Sequence, residues 1–197
     1  NIMKYIITIV AAFLISSAAY SQSLYSVNYT MSFGVGETGE YINSASFRGM
    51  TFEGRGFVSD QFSLGGLFNW TTFFEMLGGE TYTQGYTTLT GTQYRYINAF
   101  PMLFQGHWYS NDDEFEPRVY IGAGIGPYKI NQRTNVGVWT LEHRKWHFGM
   151  SPEVGLLFPI SMDTQFNISF RYHYVFKAED TIDHSWFGLS VGFAWGD

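Results

Sequence analysis

Along nearly the whole chain, large apolar or aromatic residues alternate with small polar ones, and no other feature limits the possible folds so tightly. In the first run, Tyr25, Val27, Tyr29, Met31, Phe33 and Val35 interleave with Ser26, Asn28, Thr30, Ser32, Gly34 and Gly36. A period of two sends the two sets to opposite faces of a β-strand. The same pattern returns near residues 45–58, 61–75, 92–109, 118–130, 145–159, 165–177 and 184–196, with turn residues between. Eight segments, an even number, are expected.

Which face is the inner one decides the architecture. In a water-soluble sandwich or barrel the bulky residues point inward and the exterior is rich in Lys and Glu. Here only 14% of the 197 residues are charged while 45% are hydrophobic and 20% aromatic, against roughly a quarter charged in ordinary globular chains. The polar faces are mostly Gly, Ser, Asn and Thr, too small and too sparsely charged for a solvated exterior. A narrow closed barrel with those residues inside and the aromatic set against lipid accounts for both facts. Strands of about ten to twelve residues suit a tilted crossing, and Tyr25, Tyr94, Trp108, Trp146 and Trp195 suit aromatic girdles. The reading is all-β: an eight-stranded antiparallel transmembrane barrel spanning residues 22–197, closed by pairing of its last strand with its first.

Connections after even-numbered segments are short or compact, whereas those at residues 76–91 and 131–144 are longer. Outer-membrane barrels have short periplasmic turns and long outer loops, so both termini are expected in the periplasm. Residues 1–21 read as a cleaved signal peptide: Met3 as the start, Lys4 as the basic flank, residues 5–15 as an apolar core, and Ala19 and Ser21 preceding cleavage before Gln22.

A turn centred on Met162 sets Glu153 opposite Arg171, nine residues away on either side. Both fall on the inner face, where an unpaired charge is costly. Glu53, Arg55, Glu75, Arg95 and His173 are the other expected interior polar groups, together forming a network that replaces a hydrophobic core.

Other motifs carry less. Without cysteine, disulfides, zinc-thiolate sites and thiol nucleophiles are excluded, and a formal charge of -6 argues against nucleic acid. The run Gly188-Leu189-Ser190-Val191-Gly192 spells a nucleophile elbow but continues as strand alternation. Gly122, Gly124 and Gly126 lack the following helix of a nucleotide loop. His143 and His147, on a strand, lie about 13 Å apart, too far to share an ion. The acidic run Asp112, Asp113, Glu114 and Glu116 reads as a solvated turn. No cofactor or metal is expected.

The stretches SFRGMTFEGRGFVSDQFSLGGLFNWTTFFE (residues 46–75) and TGTQYRYINAFPMLFQGHWY (residues 90–109) resemble the small outer-membrane β-barrel proteins of Bacteroidota. More loosely, the chain is similar to the OmpX, OmpW and OmpA-barrel families. The resemblance implies an outer-membrane location, contact with lipid and lipopolysaccharide, insertion by the barrel-assembly machinery, and a non-enzymatic structural or interaction role through loops such as residues 81–92. A narrow channel or lateral route for small hydrophobic molecules is the alternative. A lipid A-modifying enzyme is a further one, for which His143 or His184 near Ser185 would be the candidates.

Overall fold

The computed structural model describes residues 22–84, 87–111, 113, 116–136, 139–178 and 183–196. Residues 1–21, with the expected signal peptide, and Asp112 and Glu114 of the acidic run lie outside them. Eight antiparallel strands form a closed barrel in chain order: β1 (Ser23–Val35), β2 (Gly49–Ser59), β3 (Phe62–Gln84), β4 (Thr87–Tyr109), β5 (Arg118–Val136), β6 (Trp139–Pro159), β7 (Thr164–Val175) and β8 (His184–Gly196). The barrel shuts where β8 pairs with β1, from Leu24 opposite Gly196 to Val35 opposite Ser185. Alternation sets the faces as the sequence suggests: Tyr25, Phe52, Trp70, Phe104, Ile121, Phe148 and Phe193 are exposed outward, while Asn28, Thr51, Asn69, Gln105, Ser151 and Asn167 are buried inside.

Three expectations change. Strand length is not uniform: β3 and β4 have 23 residues each, β5 19 and β6 21. Most of residues 76–91 and 131–144, read as loops, are therefore strand. Beyond the bilayer nothing demands apolar alternation, but the Thr- and Tyr-rich stretches retain strand preference and pair across two hairpins. A register shift between Leu77 and Glu80 interrupts β3, at Gly79, whose φ of 72° suits a residue without Cβ.

Secondly, the β1–β2 connection holds a six-residue helix, α1 (Gly36–Tyr41), too short to register as a helical period. It lies against β8 and β1 at the mouth, Thr38 Oγ1 accepting a hydrogen bond from Ser185 N at 3.0 Å and Glu37 Oε2 one from Asp183 N at 2.6 Å. Ile42, which follows, is fully buried.

Thirdly, the interior is not purely polar. Towards the mouth, Ile42, Leu67, Phe73, Ile97, Leu103, Tyr128, Ile130 and Trp186 pack into one apolar cluster, and at the opposite end Leu24, Tyr109, Tyr120, Leu157 and Ala194 form another with Phe57. Apart from Ile42, which follows α1, each of these side chains falls on the inward parity of its strand, so position overrode the simple rule that bulk points to lipid. Inward glycines make the room: a Cβ on Gly155 would lie 2.3 Å from Tyr120 Cζ, and one on Gly122 2.3 Å from His107 Cδ2. Lys177 lies past the end of β7 and is exposed.

Candidate functional site

Between the two apolar clusters lies a layer of charge. The β6–β7 ladder places Glu153 opposite Arg171, and Arg171 Nη2 donates to Glu153 Oε2 at 2.5 Å and to Glu53 Oε1 at 2.8 Å. Arg55 donates to Glu53 Oε2 through Nη2 at 2.5 Å and Nε at 3.1 Å. Three strands, β2, β6 and β7, therefore converge on two carboxylates and two guanidiniums, all with side chains at most 3% exposed. Around them, His107 Nε2 lies 3.1 Å from Glu153 Oε2. The Tyr120 hydroxyl is 3.3 Å from Glu153 Oε1 and 3.0 Å from Asn167 Oδ1. Arg55 reaches the hydroxyls of Tyr109 and Tyr120 at 3.2 Å each and sits 4.5 Å over the Tyr120 ring. Sequence reasoning missed the tyrosines, because an aromatic residue on an inward parity looks like a lapse in the pattern until the glycine beneath it is noticed.

The cluster can do little chemistry. Glu53, His107 and Glu153 offer ligand atoms all within 4.8 Å of one another, the geometry of a metal centre, but both carboxylates already hold guanidiniums. A divalent cation there would face Arg55 and Arg171 at close range, so the residues fit a charge-neutral plug and do not fit a metal ion.

The other candidates part company. Glu75 and Arg95 are opposite in the β3–β4 ladder, yet each turns to the β1–β2 connection. Glu75 accepts from Asn43 N and Ser44 Oγ at 3.2 Å each, and Arg95 donates to the Tyr41 carbonyl at 3.0 Å and lies 5.1 Å over its ring. Tyr41 in turn bonds Thr134, so α1 is tied to the mouth on both sides. His173 is buried, 3.0 Å from the Tyr128 hydroxyl and stacked on Trp186. Ser190 lies mid-strand with its hydroxyl 2.9 Å from Thr30 Oγ1, not on an elbow. Ser185 and His184, adjacent on β8, differ in parity, and the Ser185 hydroxyl donates to the Val35 carbonyl at 3.1 Å. His143 is exposed on β6, and no Ser–His pair is assembled among the described residues.

Outside the barrel proper, the β2–β3 ladder reaches Thr71 opposite Gly49 and the β6–β7 ladder begins at Gly149 opposite Val175. Beyond those rows β3, β4, β5 and β6 continue as a four-stranded sheet, with Gln93 opposite Val136 and Val136 opposite Trp139. Among the described residues no strand pairs with the outer edge of β6 from Trp139 to Arg144.

No protein-family model and no curated protein matches the chain. Solved structures do. The chain is similar to Ail, the attachment invasion locus protein of Yersinia pestis, solved with the heparin analogue sucrose octasulfate, at TM-score 0.55 and 12% identity over 89% of this chain and 99% of that one. It is similar to Neisserial surface protein A at 0.53 and 11%, over 90% and 97%. It is also similar to OprG of Pseudomonas aeruginosa at 0.54 and 9%, over 90% and 96%. At such identities the likeness is one of fold, and that fold is the eight-stranded barrel of outer-membrane proteins.

Proposed function

We propose that the protein is a small outer-membrane barrel, of the type its sequence resembles in Bacteroidota, that works as a non-enzymatic docking or adhesion scaffold. The sheet that β3–β6 raise beyond the rim is its contact surface. Export through a signal peptide cleaved before Gln22, insertion by the barrel-assembly machinery and periplasmic termini belong to the same reading. The observation that carries it is the outer edge of β6 from Trp139 to Arg144, with which no strand pairs among the described residues. A strand edge outside the membrane is a template for a partner's strand, and nothing about spanning a bilayer requires it. The filled interior weighs against the channel reading, and the separation of Ser185 from any histidine partner weighs against the lipid A enzyme.

The test places a photo-crosslinking residue at Leu141 or His143 on that edge in intact cells, with Phe148 in the apolar belt as control. A discrete protein adduct from the edge, lost when both hairpins are shortened to tight turns while the barrel still folds, is expected. Adducts no more frequent from the edge than from Phe148 would refute it. Epitopes inserted at residues 137–138 and 112–115 test orientation: the first is expected to be labelled on whole cells, the second only after permeabilisation.

A further inference from the structure

Two histidines stand together where the barrel wall steps down. β7 ends at Val175 and β8 begins at His184, the two residues being opposite in their ladder. On its other side Val175 is opposite Gly149, and His147 lies two residues nearer the mouth. Alternation along β6 and β8 turns both histidines inward, and both are buried at the end of the barrel that carries α1. Their ring centroids are 5.4 Å apart and their planes perpendicular.

The packing of the mouth does not account for the polar atoms of this pair. His147 Nδ1 is 3.2 Å from the Phe176 carbonyl. A carbonyl only accepts, so in the neutral ring the proton sits on Nδ1 and the lone pair of Nε2 is left for another partner. His184 Nδ1 is buried without a hydrogen-bond partner, a cost that an apolar ring of the same shape would not bring. Among the described residues neither imidazole joins an ion pair. Charged neighbours balance: Lys145 precedes His147 by two and Lys177 follows Phe176, while Asp183 precedes His184 and its N–H donates to Glu37 Oε2 at 2.6 Å. The Glu53–His107–Glu153 trio, by contrast, is closed to a cation by two guanidiniums.

We propose that His147 and His184 bind one divalent transition-metal ion of the zinc, nickel and copper class, joining β6 to β8 across the end of β7. An imidazole nitrogen sits about 2.1 Å from such an ion, which puts the centroids of two rings on one tetrahedral ion about 5 Å apart, close to the spacing here. Perpendicular planes are compatible with it, because the metal–nitrogen bond fixes the direction of the lone pair and leaves the ring plane free. His147 also has the setting of a ligating histidine, one nitrogen held by a backbone carbonyl and the other available. Two neutral nitrogens favour these borderline ions over magnesium and calcium, which take oxygen donors. With two protein ligands the ion keeps open positions, filled by water or by a donor brought from outside the barrel. The site holds whatever partner the β6 edge takes.

The experiment folds the whole chain without an affinity tag in detergent micelles and titrates it by calorimetry with Zn2+, Ni2+, Cu2+ and Mg2+, each alone. Electron paramagnetic resonance of the copper form counts nitrogen ligands. One equivalent of each transition ion, two imidazole nitrogens on copper and no binding of Mg2+ are expected. His147→Phe and His184→Phe keep a ring in each place while removing the ligand, and each is expected to weaken Zn2+ binding at least about tenfold. His143→Ala, removing the exposed histidine of the same strand, is expected to leave it unchanged. Heat-modifiable migration on a gel reports folding, and His147→Gln and His184→Gln replace any phenylalanine variant that fails it. Absence of binding, undiminished binding by the folded His147 or His184 variants, or fewer than two imidazole nitrogens on copper overturns the proposal. Loss of binding with His143→Ala overturns it as well, by placing the ion on the exposed strand.

Discussion

Substituting Glu153 by alanine removes one of two carboxylates that balance two guanidiniums in a dry interior. Arg171 keeps Glu53 at 2.8 Å and His107 loses its partner, so the cluster retains one uncompensated positive charge. Breaking a buried pair on one side costs about 3–5 kcal/mol. The surviving contact from Arg171 to Glu53 places this loss near the lower end, about 3 kcal/mol. Arg171→Ala leaves the opposite imbalance, two carboxylates sharing Arg55, with a loss of similar size. The double variant is neutral again: Arg55 still holds Glu53 through two donors, and the remaining cost is the empty volume. The double loss is therefore expected to fall short of the sum of the single losses by about 2 kcal/mol, within the range of couplings between directly touching residues. Urea unfolding of the barrel in lipid vesicles, followed by tryptophan fluorescence for all four proteins, measures the cycle. Additive losses, or a double variant worse than the sum, would refute the claim that charge balance holds this layer together.

Four further outcomes follow from the same geometry. Gly155→Ala is expected to destabilise the barrel by about 1–3 kcal/mol, since its Cβ would fall on Tyr120. Gly66→Ala, where the nearest atom is the Leu103 carbonyl at 3.9 Å, is expected to shift stability by no more than about 0.5 kcal/mol. Planar-bilayer recordings of the folded barrel are expected to be silent, and stable single-channel steps would show an interior looser than the clusters described. Thr38→Val removes the acceptor for Ser185 N, so exchange of the Ser185 amide is expected to quicken with global stability little changed; unaltered exchange would mean that α1 does not secure the mouth through this contact.

Period-two alternation was enough to read eight strands, their faces and the closing pair, because lipid on one side and a narrow lumen on the other impose opposite demands at every step. The signal fails where one of those demands lapses. Past the rim there is water on both sides, so the strands of residues 76–84 and 132–143 carry no apolar alternation and look like loops. Inside, a tyrosine can be accommodated against a glycine on the neighbouring strand, as Tyr120 is by Gly155 and Tyr128 by Gly149. That is a relation between strands which a single segment does not display. Glu153 and Arg171 sit in one hairpin joined by a short turn, where counting outward from the turn gives the register. Glu53 belongs to a distant strand, and its bond to Arg171 depends on closure of the whole barrel.

Charge obeys opposite rules in the two parts of the molecule, and the contrast indicates where function lies. Within the lumen, every carboxylate of the central layer meets a guanidinium, because an excess charge there has neither water nor counterion to offset it. That balance, with apolar packing above and below it, makes the layer a support for the fold and leaves it no spare group with which to act on a ligand. At the outer rim Arg48, Lys129 and Arg133 join no ion pair among the described residues. Surface cations tolerate this because solvent and headgroups screen them, so their placement is not dictated by folding.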